Sequence, residues 1–306
     1  MIKKLTAGKE ILKWATDNGV AVGAFNFSNM ETLQAIVEAA VEKRSPIILQ
    51  VSESAINYMG IGYVTGMVEV AVDTAEIPIA LHLDHGKNFD ICKLCIDNGF
   101  SSVMIDKSSS SFAENVRQTK EVVDYAQKFG VAVEGELGIL TGIEDDVRVA
   151  GDNSLFTNPV QALDFIEATG ISSLAIAIGT SHGLNKGKTA CLDIDRLIAI
   201  KDKVSNFPLV LHGASSIYPD ITDICNQFGA IFRDASGINT SDIKAAISHG
   251  INKINIDTDL RLAFMAGLRR SLYQTSESID IRMHLNSARL FTKDLVVRKL
   301  EMFKVS

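Results

Sequence analysis

The sequence predicts an α/β protein, a closed (β/α)8 barrel of the TIM type, and three observations predict it. Eight short apolar runs alternate with segments of helical period along 306 residues. Short strands separated by helices imply parallel pairing with right-handed crossovers. Polar residues collect at the C-terminal ends of those runs, the face on which such barrels carry their active sites. An open doubly wound sheet usually has fewer strands, and no G-x-G-x-x-G follows the first strand to support a dinucleotide site.

The elements follow in order. A helix over 8–18 places Ile11, Leu12, Trp14 and Ala15 at helical spacing. The predicted strands are 20–26, 46–52, 78–84, 101–106, 131–136, 173–179, 208–212 and 252–257. Helices are expected over 30–43, 63–74, 89–98, 112–129, 159–168 and 194–204, with one or two more between 220 and 249. Two last helices, about 259–274 and 285–303, finish the chain. The whole of 1–306 reads as one catalytic domain. The segment 137–158 breaks the alternation with three glycines and the acidic Glu144, Asp145 and Asp146; it is expected to be an irregular, mobile active-site loop.

At 46% hydrophobic and 22% charged residues the chain has ample core. A net charge of -7 without a basic run argues against nucleic-acid or anionic-membrane partners, but not against an anionic small substrate. No secretory signal or long apolar span is evident, so a cytoplasmic location with free thiols is expected. Cys92 and Cys95 stand three apart on a helix with no second pair, as helix packing would place them.

The stretch Pro78–Asp90, P-I-A-L-H-L-D-H-G-K-N-F-D, carries the densest chemistry. Alternation puts His82 and Asp84 on one face, with His85 where the strand breaks into its loop. Asn26, Ser52, Asp106, Glu136, His182, His212, Asn255 and Asp257 also lie at strand ends or just beyond. His85, His182 and His212, from the third, sixth and seventh strands, suit an open divalent site with zinc the usual occupant. Asp106 and Glu136 are placed to support these ligands or to hold a shifted or second metal ion. Asp84 stands where a base is wanted; His82 is expected to support the site from inside the barrel. Two small turns, G-T-S-H-G (179–183, followed by Lys186) and H-G-A-S-S (212–216), have the composition of phosphate cradles built from backbone N–H groups.

Taken together, G-A-F-N, L-H-L-D-H-G, S-V-M-I-D, V-E-G-E-L-G, A-I-G-T-S-H-G, L-V-L-H-G-A-S and I-N-I-D-T-D-L-R resemble the class II, metal-dependent fructose-1,6-bisphosphate aldolases from near the N-terminus to the last helix. The resemblance implies that His85, His182 and His212 are the zinc ligands and Asp84 the catalytic acid/base, with Asp106 and Glu136 tied to a second or shifted metal position. It implies a phosphate cradle of Gly183, Lys186, Gly213, Ser215, Asn255 and Thr258. Arg261 and Arg282 match arginines for the other phosphate, the latter from a neighbouring subunit. A homodimer or homotetramer follows by resemblance only. Two departures stand out: K-S-S-S-S follows Asp106, and G-A-S-S replaces the common G-G-S-G.

The activity so implied is reversible cleavage of fructose 1,6-bisphosphate to dihydroxyacetone phosphate and glyceraldehyde 3-phosphate, a step of glycolysis and gluconeogenesis. Asp84 would take the C4 hydroxyl proton, and Glu144, or else Asp145, would protonate C3. Zn2+ is the implied cofactor, with room for a second divalent ion and for Na+ or K+ beside the phosphate turns. Tagatose 1,6-bisphosphate is the alternative substrate, although N-I-D-T-D (255–259) resembles the fructose type through Asp257. A zinc-dependent hydrolase and a non-catalytic sugar-phosphate-binding barrel are the remaining alternatives. Cys191 and 233–238 carry no functional reading.

Overall fold

Eight parallel strands close into a barrel in the computed structural model, which describes residues 5–139, 141–144, 147–149, 156–184, 191–232 and 235–304, with backbone alone for 141–144, 147–149 and 182. The strands in chain order are β1 (Val22–Asn26), β2 (Ile47–Ser52), β3 (Ile79–Gly86), β4 (Ser102–Ile105), β5 (Ala132–Leu137), β6 (Thr141–Glu144), β7 (Val147–Val149), β8 (Ser173–Ile176), β9 (Ser181–His182), β10 (Leu209–Leu211) and β11 (Ile251–Ile256). The barrel order is β1-β11-β10-β8-β5-β4-β3-β2. Each barrel strand lies where an apolar run predicts it.

Strand alternation divides the barrel wall into two surfaces. Ile47, Leu49 and Val51 of β2 and Leu81 and Leu83 of β3 belong to the large apolar core shared with the surrounding helices. The alternate residues Ile48 and Ala80 face inward and pack with Val22, Ala24 and the helix Gly8–Asn18, which closes the N-terminal end of the barrel. Gly8 is needed there: a Cβ would sit 2.8 Å from Ser102 Cβ. Above this apolar floor the inward positions turn polar, with Gln50 opposite His82 and Ser52 opposite Asp84.

The crossover helices start where short polar side chains satisfy the first free N–H groups. Asn29 and Thr32 form a reciprocal capping box, and Asn88, Ser111 and Asn158 cap their helices singly. One helix, Glu53–Met59, was not expected. Ser52 accepts a hydrogen bond from Ala55 N and starts it, and Gly60 ends it.

Two strands lie within the segment read as irregular. Within it β6 and β7 pair antiparallel, and β6 pairs parallel with β9, so Gly142 stands beside His182. Backbone pairing thus joins the segment after β5 to the turn after β8. Asp145 lies outside the described residues, as does Lys186; for Glu144 and His182 only the backbone is described.

Candidate active site

Asp84 closes the inward row of β3 and is 1% exposed. Asn26 Nδ2 donates to its Oδ2 at 2.9 Å, and Asn255 Nδ2 donates to its Oδ1 at 3.0 Å. Gln50 Nε2 in turn holds Asn26 Oδ1 at 2.6 Å. The carboxylate is therefore gripped from β1 and β11 at once, and an acid so oriented can move a proton without first reorganising.

The next residue leaves the strand abruptly. His85 has φ +48°, a left-handed backbone that costs a non-glycine residue energy. Gly86 lets the chain lie close against β4 just after this turn, because a Cβ there would meet Met104 O at 2.5 Å. The His85 ring lies edge-on to that of His212, with 2.9 Å between His85 Nε2 and His212 Nδ1.

The outer nitrogen of each ring meets a carboxylate. His85 Nδ1 is 3.1 Å from Asp106 Oδ2, and His212 Nε2 is 2.9 Å from Glu134 Oε1. Burial works against charge on Asp106, but His85 and the hydroxyl and N–H of Ser108 outweigh it and hold the acid well below the usual carboxylate range. Burial likewise opposes charge on Glu134, and Lys253 and His212 overcome it. Both acids are thus ionised and accept only, so both outer ring nitrogens donate. Burial also keeps His212 below the ordinary imidazole range, with Glu134 opposing. His85 Nε2 and His212 Nδ1 thus face each other at 2.9 Å, close enough for both to ligate one cation.

The donor set around that point fits a divalent metal. Ligand atoms of Asp84, His85 and His212 lie within 4.8 Å of one another, as do those of His85, Asp106 and Glu136. The two groups share His85, so the site offers two overlapping positions. Imidazole nitrogen with carboxylate oxygen is a zinc-type donor set.

The turn after β8 and the turn after β10 touch. A Cβ on Gly213 would sit 2.7 Å from Ser181 O, and both Gly213 and Gly183 have positive φ, at +61° and +89°. Only glycine at 213 lets the turn after β10 lie on the turn after β8. A buried ion pair holds the second turn from behind. Lys299 Nζ is 2.6 Å from Asp259 Oδ2, and that carboxylate accepts from Ser216 N at 3.0 Å and Ile217 N at 2.8 Å.

The match to the family model described as fructose-bisphosphate aldolase class-II runs over residues 6–306. The chain belongs to the class II fructose-bisphosphate aldolase family. A curated relative named fructose-bisphosphate aldolase, from Thermus caldophilus, is 48% identical over 300 residues and covers 98% of each chain. One of the same name from Helicobacter pylori is 43% identical, covering 97% of each. Among solved structures, the YdjI aldolase of Escherichia coli K12 is 30% identical with a TM-score of 0.78, covering 98% of this chain and 97% of its own.

For this class II aldolase chain, the expected site residues divide by position. Asn26, Asp84 and Asn255 form one hydrogen-bonded set and Asp106, His85 and His212 another, with Asn255 Nδ2 3.2 Å from His212 Nε2 between them, and Glu136 Oε2 lies 3.9 Å from His85 Nδ1. Gly183, Gly213 and Ser215 lie in the paired turns. Ser52, Asp257 and Arg261 line an adjoining cleft of about 500 Å³, with Thr258 opening the helix beside it. Arg282 is elsewhere: it opens the last helix and pairs with Asp280 at 2.9 Å, its side chain 88% exposed.

Three polar residues of the barrel interior were not expected. Gln50, Glu134 and Lys253 each stand two positions before a strand-end residue that was, and so face the same interior. The stretch after Arg233 also gains a role. Ser236 N donates to Leu184 O at 2.9 Å and Ile238 N to Ser215 O at 3.0 Å, so it ties the two turns together. Gly237 lies so close that a Cβ would meet Ser215 O at 2.6 Å.

Proposed function

We propose that this chain catalyses reversible aldol cleavage of fructose 1,6-bisphosphate to dihydroxyacetone phosphate and glyceraldehyde 3-phosphate, with Asp84 as the proton carrier. The observation that carries this reading is the adjacency of Asp84, fixed by two amides, to the facing nitrogens of His85 and His212. The names of the relatives favour fructose over tagatose bisphosphate.

His85 and His212, with His182, would hold a divalent ion, most naturally Zn2+, and Asp106 and Glu136 would serve a shifted or second ion. When bound, that ion supplies Lewis-acid stabilisation of the charge that develops on the substrate's ketone oxygen. The turns at Gly183, Gly213 and Ser215, with Lys186, Asn255 and Thr258, receive the phosphate of the dihydroxyacetone half, with room beside them for Na+ or K+. Asn255 Oδ1 is a buried acceptor with no donor among the described residues, and it is suited to a substrate hydroxyl. Ser52, Asp257 and Arg261 serve the aldehyde half from the adjoining cleft.

In cleavage, Asp84 takes the proton of the C4 hydroxyl. The C3–C4 bond breaks, its electron pair passes toward the C2 carbonyl, and glyceraldehyde 3-phosphate departs. A carboxylate of the segment 137–158, Glu144 or else Asp145, then returns a proton to C3. No lysine forms a Schiff base, so nothing in the cycle requires a neutral amine.

We place the enzyme in the cytoplasm, acting in glycolysis and gluconeogenesis as a homodimer or homotetramer. Arg282 is flanked in the chain by the exposed Ile279 and Ile281, which suits an arginine presented at a contact between copies. Among the described residues no single helix is long and apolar enough to cross a membrane. The test is a coupled cleavage assay on fructose and tagatose bisphosphates, with and without a chelator. Preferred turnover of the fructose compound, lost on chelation and restored by Zn2+, is expected. Activity that survives complete metal removal overturns the mechanism.

A further inference from the structure

Beneath the reactive layer lies a second polar layer that the cleavage chemistry does not use. Glu134, Lys253 and His82 are each 1% exposed, yet they come from β5, β11 and β3 and meet inside the barrel. Lys253 Nζ is 2.8 Å from Glu134 Oε2, which also accepts from Ser173 Oγ at 3.2 Å. Lys253 Nζ is 3.3 Å from His82 Nε2, and His82 Nδ1 is 2.7 Å from Ser102 Oγ. The other oxygen of Glu134 reaches up to His212 Nε2 at 2.9 Å.

We propose that Glu134, pinned by Lys253, is a positioning residue that holds the His212 ring with Nδ1 toward His85 and thereby sets the affinity of the divalent-ion site. The inference rests on the reading of His85 and His212 as metal ligands.

The geometry argues for it in three ways. A histidine can offer a lone pair from only one ring nitrogen, and the donor role of the other decides which. His212 Nε2 has two neighbours, Glu134 Oε1 at 2.9 Å and Asn255 Nδ2 at 3.2 Å; the closer, charged carboxylate takes Nε2 as donor and leaves Nδ1 as the ligand atom. A lone carboxylate could swing, but Lys253 and Ser173 hold its second oxygen, so the first has one direction. Lys253 is committed downward as well, against His82, which Ser102 holds in turn, so the pair and its partners come from five strands. Glu134 lies below His212 and, among the described residues, has no hydrogen bond to Asp84, so its action passes through the ring. Partners of this kind are worth about 10- to 100-fold in metal affinity.

The test uses the full-length protein and zinc alone. Removing one charge of a buried pair threatens folding, so the working variant is the charge-balanced double change Glu134→Gln with Lys253→Met. Zinc affinity is measured by competition with a chromophoric chelator, beside wild type and His85→Ala. A loss of about 10- to 100-fold is expected in the double variant, with a folded far-ultraviolet spectrum. Histidine 15N resonances give the second readout: His212 is expected as the single Nε2–H tautomer in metal-free wild type and as a tautomer mixture in the double variant. Zinc binding lost in His85→Ala but unaltered in the double variant, with one tautomer retained, overturns this proposal alone. Zinc binding that survives His85→Ala unchanged overturns the metal-centre reading, and this proposal with it. Should the double variant fail to fold, the Glu134→Gln single change is measured in the same way, with the same outcomes.

Discussion

Asp257 grips Arg261 through both carboxylate oxygens, with Nε to Oδ1 at 2.8 Å and Nη2 to Oδ2 at 2.8 Å. The two stand one helical turn apart, and both line the cleft beside Asn26 and Ser52. A guanidinium fork held this way presents its remaining donors in a fixed direction, which suits a phosphate. Asp257→Ala is expected to release the fork. The KM for fructose 1,6-bisphosphate should rise several-fold, and the ratio of kcat/KM between fructose and tagatose bisphosphates should narrow. An unchanged ratio would remove Asp257 from substrate discrimination.

Asp84→Ala is expected to lower kcat by ~10²-fold or more, the usual worth of a positioned acid/base. Zinc content should stay near wild type, because the facing nitrogens of His85 and His212 remain. Measured metal content separates the two effects. Near-normal turnover in a zinc-loaded variant would show that another group carries the proton.

His82 supplies a pH prediction. Burial first, then the Lys253 charge, hold its imidazole well below its ordinary range, so the folded protein keeps it neutral. The unfolded chain takes up a proton as pH falls through about 6.5 while the folded one does not. Stability is therefore lost on acidification below that point, by up to about 1.4 kcal/mol per pH unit from this residue. His82→Gln keeps a polar side chain and removes the titration. Denaturation midpoints compared from pH 7 to pH 5 should fall less steeply in the variant; parallel curves would rule the residue out.

Much of this was legible in the sequence because period and position encode it directly. Eight apolar runs declared the strands, and His85, His212 and Asp84, standing at strand ends in the sequence, come together in the structure. Glu134 and Lys253 were overlooked although the signal existed: V-E-G-E and I-N-K-I-N-I each carry a charge two places before a strand-end residue, on the same inward face. The helix Glu53–Met59 is too short to show a hydrophobic period, and only Ser52 and Gly60 at its ends betray it. The bracing of both turns by Ser236 and Ile238 runs through backbone atoms, which leave no mark in side-chain pattern.

Lys299→Met is expected to destabilise the fold by about 3–5 kcal/mol, since Asp259 would be left as a buried charge without its counter-ion. The double change with Asp259→Asn should recover much of the loss, although Ser216 N and Ile217 N would share a weaker acceptor. Chemical denaturation of the two variants measures both. A single variant as stable as wild type would mean that the pair is electrostatically idle.

The helix Gly8–Asn18 makes the barrel a vessel with one mouth. Its apolar face lies under the layer of Glu134, Lys253 and His82, so the medium on that side is hydrocarbon rather than water. Charge in such a medium is poorly screened, and its field is felt mainly upward, toward the reacting end. The N-terminal helix, far from any substrate atom, thereby acts as electrical insulation for the catalytic end. Its removal would flood the lower layer with solvent and weaken that field without touching a ligand.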